Sequence, residues 1–184
     1  FAHPWIDRFF GDAADRYRYG HLCNALFMIP YIACVDDFQH RIYARPDMTA
    51  DERRAVWKEL EGIYLPWRDY DGVDNMAAGA FWMQKQHIFL YPFYYIDYAL
   101  AQICVFELYG KMKTDRSKAW TDYLTLCQAG GSLGYFELLE LAGLSNPFKP
   151  GNIEQAVANV IAEIEQSPWS HMLPETDSST SENA

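Results

Sequence analysis

The chain has 184 residues, half of them apolar and 16% aromatic, with a formal net charge of −10. That length supports one sizeable core, and the acidic balance speaks against nucleic acid and anionic membranes, both of which select basic surfaces. The longest apolar run, Leu22 to Val35, is interrupted by Asn24 and Pro30 and falls short of the ~20 residues of a membrane helix, so the expected setting is cytoplasmic, with no membrane partner.

In chain order, Phe1-Ala2-His3-Pro4-Trp5-Ile6 opens without methionine in a core-like apolar stretch, which predicts further chain on the N-terminal side. Asp12 to Ala44 reads as one long helix. Its stripe is Leu22, Leu26, Ile29, Ala33 and Asp36–Asp37, widened by Phe27, Tyr31, Val35 and Phe38; a helix apolar on most sides is a buried one. Pro30 removes a ladder hydrogen bond and is expected to kink it. Thr49 with Glu52 three residues on forms a capping box, opening a helix that turns Val56, Leu60 and Ile63 inward. Pro66 to Gly79, with Trp67, Arg68, Asp69 and Tyr70, reads as a long aromatic loop, and long ordered loops are often functional.

A central helix is expected from Pro92, running Phe93 to Lys113, with proline tolerated in the first turn. Asp115 to Gln128 follows with Trp120, Tyr123, Leu124 and Cys127 inward, stopped by Gly130-Gly131. Leu133 to Leu141 is a short helix, and Asn152 is expected to cap a last one whose face is Ile153, Val157, Val160, Ile161 and Ile164. The pattern is lost from Ser167, and 167–184 is expected to be a disordered tail. Cys23, Cys34, Cys104 and Cys127 form no C-x-x-C pair and each lies in an apolar helical pattern, which predicts buried free thiols in a reducing compartment. No period-two alternation occurs, so the fold class is all-α: a multi-helix domain over 1–166 with a buried central helix.

The stretch that carries chemistry is His87 to Gln102, in which one histidine and four tyrosines stand in an apolar run. Spacings of three and four put Tyr91, Tyr94, Tyr95 and Tyr98 on one helix face. Buried phenols need partners, and a phenol can donate to a developing oxyanion without carrying charge. On periodicity alone, a plain tyrosine-rich core helix is the preferred reading.

His87-Ile88-Phe89 followed by Pro92-Phe93-Tyr94-Tyr95-Ile96-Asp97-Tyr98 resembles the substrate-binding segment of zinc peptidases of the oligoendopeptidase F and thimet oligopeptidase type. Tyr64-Leu65-Pro66-Trp67-Arg68-Asp69-Tyr70-Asp71, Cys127-Gln128-Ala129-Gly130-Gly131-Ser132 and Val35-Asp36-Asp37-Phe38-Gln39-His40 agree in the same order. The resemblance covers residues 1 to 165 and is to the C-terminal part of the catalytic domain of such a gluzincin oligopeptidase. It implies a metalloendopeptidase of short peptides, with Tyr95 and Tyr98 catalytic as donors to the tetrahedral intermediate. His87, Tyr91 and Tyr94 are then substrate-binding. Leu90-Tyr91-Pro92-Phe93 stands where the thimet branch has a glycine-rich lead-in.

Such an enzyme needs H-E-x-x-H and a further carboxylate to hold zinc. None of His3, His21, His40, His87 and His171 sits in that motif. The resemblance places those ligands upstream, so zinc belongs to the full-length enzyme, no metal ligand is assigned here, and this chain alone is expected to be inactive. Its partners are then oligopeptide substrates and the N-terminal part of the same enzyme. Asp36 and His40, one helical turn apart, could hold a metal or simply bond each other. A reading from another class also stands: a helical protein–protein binding or assembly module without catalytic role, its tyrosines and tryptophans serving as contact residues.

Overall fold

In the computed structural model the described residues are 1–172. They contain eight α-helices with short 3-10 and π segments and no strand, so the chain is all-α. Pro174 to Ala184, expected to be disordered, lies outside the described residues. Ser167 to Met172 is not patternless: it holds a turn and a 3-10 helix at Ser170–Met172, and Trp169 packs on a core cluster.

A four-residue turn, α1 (Asp7–Phe10), precedes α2 (Ala14–Ala44), which runs through Pro30 without a break. α3 (Ala50–Tyr64) starts at the capping box: Glu52 N–H donates to Thr49 Oγ1, and Thr49 N–H donates back to Glu52 Oε2 at 2.7 Å. After a turn-rich loop, a π-helical segment (Met76–Ala80) and a 3-10 turn lead to α4 (Gln86–Leu90). α5 (Ile96–Thr114), α6 (Arg116–Ala129), α7 (Tyr135–Leu141) and α8 (Asn152–Gln166) complete the order. α5 packs on α2, α6 and α8 and is the central helix that its composition predicts.

Two cores share α2. Its C-terminal half gives Ile32, Cys34, Val35 and Phe38 to a cluster with Trp57 and Leu60 of α3, Trp82, Ile88 of α4 and Tyr95. Its N-terminal half gives Tyr19, Leu22, Cys23 and Ala25 to a second, with Phe106 of α5 and Val160 and Ile164 of α8. Each large side chain buried there contributes about 1.5–3 kcal/mol relative to exposure.

Gly79 joins α3 to the segment that carries the site. Its φ is +91°, and an added Cβ would stand 2.2 Å from the Arg54 carbonyl oxygen of α3. Only glycine lets the two backbones approach this closely.

Several expectations change. α5 begins at Ile96 rather than Pro92, because Phe93 takes a left-handed conformation (φ +63°) that no helix accommodates. The N-cap of α8 is left-handed Gly151, while the Asn152 side chain instead donates to the Asn146 carbonyl. On α3 the buried side chains are Trp57, Leu60 and Glu61; Ile63 is exposed. On α6 only Ala119 is buried, and Trp120, Tyr123, Leu124 and Cys127 are open to solvent. The pattern marks an apolar face that the described residues cover only in part, with the Phe1 ring 5.1 Å from Trp120 and 5.3 Å from Tyr123. The thiols accordingly divide: Cys23 and Cys34 are buried, Cys104 is half-buried and Cys127 is exposed.

Candidate functional site

The chain from His87 to Tyr98 is not one helix. α4 ends at Leu90, Tyr91 N–H caps it by donating to the His87 carbonyl, and a turn over Tyr91–Tyr95 precedes α5. The bend brings three of the four tyrosines around one imidazole. The His87 ring centroid is 4.8 Å from that of Tyr95, 5.8 Å from Tyr98 at right angles, and 6.3 Å from Tyr94 in a parallel arrangement. Tyr98 in turn meets the edges or faces of Tyr94 and Tyr95 at 5.5 and 5.4 Å. Tyr91 makes no ring contact with this group and is 60% exposed, so the helix-face argument that included it does not hold.

Burial divides the cluster. Tyr95 is 6% exposed and belongs to the α2–α3 core, whereas Tyr94 and Tyr98 are 48% and 43% exposed and turn their rings to solvent. His87 Nδ1 is buried and has no hydrogen-bond partner among the described residues. Burial, and then the neighbouring Tyr94 phenol, raise the Tyr98 pKa above its ordinary value. Tyr98 therefore stays a neutral O–H donor at neutral pH.

Two residues of this cluster carry no signal in the tyrosine spacing. Tyr31, on α2, meets the Tyr95 ring edge-on at 6.2 Å, and Lys85 Nζ lies 5.0 Å from both ring centroids. Burial disfavours the Lys85 ammonium, but the Tyr95 and Tyr31 phenols outweigh it and raise its pKa. A lone cation two positions before His87 in an aromatic stretch is the available clue. Arg68 also meets Tyr31, 5.2 Å from that ring and 4.3 Å from Phe81. Arg68 is held by Glu61, which also accepts from the Tyr70 hydroxyl. The aromatic loop is thus anchored to α3 rather than free.

Asp36 and Asp37 face different partners. Asp36 pairs with His40 at 3.4 Å, and burial raises its pKa. Asp37 accepts from Arg41 and from the Tyr64 hydroxyl at 3.2 Å each. No group of three or more His, Cys, Asp or Glu side chains among the described residues converges as metal ligands would, so the residues present do not fit a zinc site, which takes four donors or three plus water. Among the described residues no helix is long and apolar enough to cross a membrane.

No protein-family model matches the chain, and a search of curated proteins returns no match. Solved structures do match. An X-ray structure described as oligoendopeptidase F is 44% identical with a TM-score of 0.86, over 89% of this chain and 29% of that one. Pz peptidase A, solved with an inhibitor, is 41% identical with a TM-score of 0.85 over the same shares. A structure described as oligoendopeptidase F from Bacillus anthracis str. Ames is 36% identical with a TM-score of 0.73, over 89% of this chain and 26% of that one. The chain spans less than a third of the length of each.

Proposed function

We propose, for a chain that belongs by sequence and fold with part of the oligoendopeptidase F peptidases, that it forms the peptide-binding, oxyanion-stabilising wall of a zinc peptidase cleft. The observation that carries this is the gathering of Tyr94, Tyr95 and Tyr98 around His87, with Tyr94 and Tyr98 open to solvent. A bare core helix would bury its phenols.

In this reading Tyr98 donates its O–H to the oxygen that becomes negative as the scissile carbonyl turns tetrahedral, and Tyr95 is the catalytic neighbour that backs it from the core. His87 and Tyr94 bind the peptide beside them, and Tyr91 extends that contact along the surface. Preorganised neutral donors act in the transition state because they need no reorganisation as charge develops. No described residues fit a zinc site, so in this reading the metal and its H-E-x-x-H ligands belong to another part of the peptidase, and this chain by itself is inactive.

The test is Tyr98→Phe in a peptidase chain that contains this segment. Turnover should fall roughly tenfold to a thousandfold with KM nearly unchanged, the mark of an interaction made in the transition state. Tyr95→Phe and Tyr94→Phe should be measured beside it, an effect confined to Tyr94 moving the donor to that residue. Lowered thermal stability with intact turnover for all three would make the phenols structural groups. The binding-module reading would then be preferred.

A further inference from the structure

Gln39 and Glu61 are the polar or charged side chains in the core among the described residues, and Gln39 is 0% exposed. A buried amide is stabilising only through the bonds it makes. Its Nε2 donates to the Val35 carbonyl within α2 at 3.4 Å, a long local bond. Its Oε1 accepts the backbone N–H of Phe93 at 2.8 Å, across 54 positions of chain.

Phe93 is the residue with φ +63°. A non-glycine residue there is strained and persists only where its surroundings enforce it. The Phe93 side chain is 41% exposed, its ring 4.9 Å from His40 and 5.4 Å from Tyr43, both on α2. One turn beyond Gln39, the Tyr43 hydroxyl donates to the Ile88 carbonyl at 2.9 Å. α2 therefore grips the backbone on both sides of Tyr91, and the second grip stands immediately before Tyr94 and Tyr95. Left to local preference, Pro92 would open a helix at once; the tie at Phe93 postpones it to Ile96.

We propose that Gln39 is a positioning residue of the candidate site: by holding Phe93 left-handed it sets the bend that brings Tyr94 and Tyr95 against His87. This rests on the cleft reading for its catalytic consequence, but the tie itself can be measured without any activity. Gln39→Met keeps the side chain's length and removes the acceptor. Amide hydrogen exchange at Phe93 should then accelerate at least tenfold while that of Ile103, in the core of α5, stays unchanged. In the peptidase, turnover should fall by about tenfold with KM little altered. Adding Phe93→Gly, for which φ +63° is unstrained, should restore most of the turnover without restoring the amide protection, a rescue that a merely structural role for Gln39 would not show. Phe93→Val disturbs the same conformation from the surface and should lower turnover too, which covers the case in which Gln39→Met does not fold. Wild-type exchange at Phe93 in Gln39→Met, or no gain from Phe93→Gly, would overturn the proposal. If Tyr95→Phe and Tyr98→Phe leave turnover intact, the cleft reading fails separately, and the Phe93 exchange rate still decides the role of Gln39.

Discussion

Replacing Gly79 by alanine adds one carbon to the molecule at a place where the backbone leaves no room for it. Two costs add there. At φ +91° an L-residue is strained, a cost of about 1–3 kcal/mol. The new Cβ would also stand 2.2 Å from the Arg54 carbonyl oxygen and 3.0 Å from its carbon. These atoms belong to a packed helix and cannot swing aside as a side-chain tip would, so displacing them costs about 1–3 kcal/mol more. The sum is about 2–6 kcal/mol, which for a chain of this size lowers Tm by roughly 4–24 °C at about 2–4 °C per kcal/mol. Gly72 supplies the control, with a φ of +80° and nothing within 4 Å of the point where a Cβ would stand. Gly72→Ala carries the conformational cost alone and should lower Tm by only about half as much. Both are read by thermal unfolding followed by circular dichroism. Equal Tm shifts for the two variants would refute the reasoning, because the clash with α3 would then contribute nothing.

Two further outcomes are expected. Burial, then Glu61, push the Cys34 thiol up to about 12, so an Ellman-type reagent should label exposed Cys127 rapidly and reach Cys34 only on unfolding; equal native rates would contradict the described packing. Burial lowers the His3 pKa from 6.5 in spite of Glu163, with His21, Arg18 and Lys113 acting in the same direction as burial. The unfolded chain then binds the proton more readily, so this contribution to stability is fully present above pH 6.5 and is lost as pH falls through the lower folded value. Urea midpoints should decline over that interval, and His3→Asn should flatten the decline; an unchanged slope would exclude His3 as its source.

How far the sequence discloses the molecule varies by element. The start of α3 is written locally in Thr49 and Glu52, whose reciprocal bonds need nothing from elsewhere in the chain. The start of α5 is not. Pro92 is a sound local signal for a first turn, and it is overruled by a hydrogen bond to Gln39 that no window of neighbouring residues contains. The site shares this fate. His87 with Tyr94, Tyr95 and Tyr98 can be singled out from the chain, but Tyr91 joins them only through a helical periodicity that the bend abolishes, and Tyr31 arrives from another helix. α6 shows the complementary limit: spacing identifies an apolar face at Trp120, Tyr123 and Leu124, yet says nothing about whether anything covers it.

The 31 residues of α2 extend about 46 Å as a helix, and Pro30 falls between the part that enters one core and the part that enters the other. A proline has no N–H to give, so at this point the ladder lacks a rung. The seam separates the stretch of α2 that packs with α8 from the stretch that packs with α3. The tyrosine turn is hydrogen-bonded to the second stretch through Gln39 and Tyr43, and it runs on into α5, whose Phe106 lies in the core shared with α8. Substitutions on the α8 side therefore reach the geometry around His87 through α5, which carries Tyr98, whereas Gln39 and Tyr43 hold the turn from the α2 side.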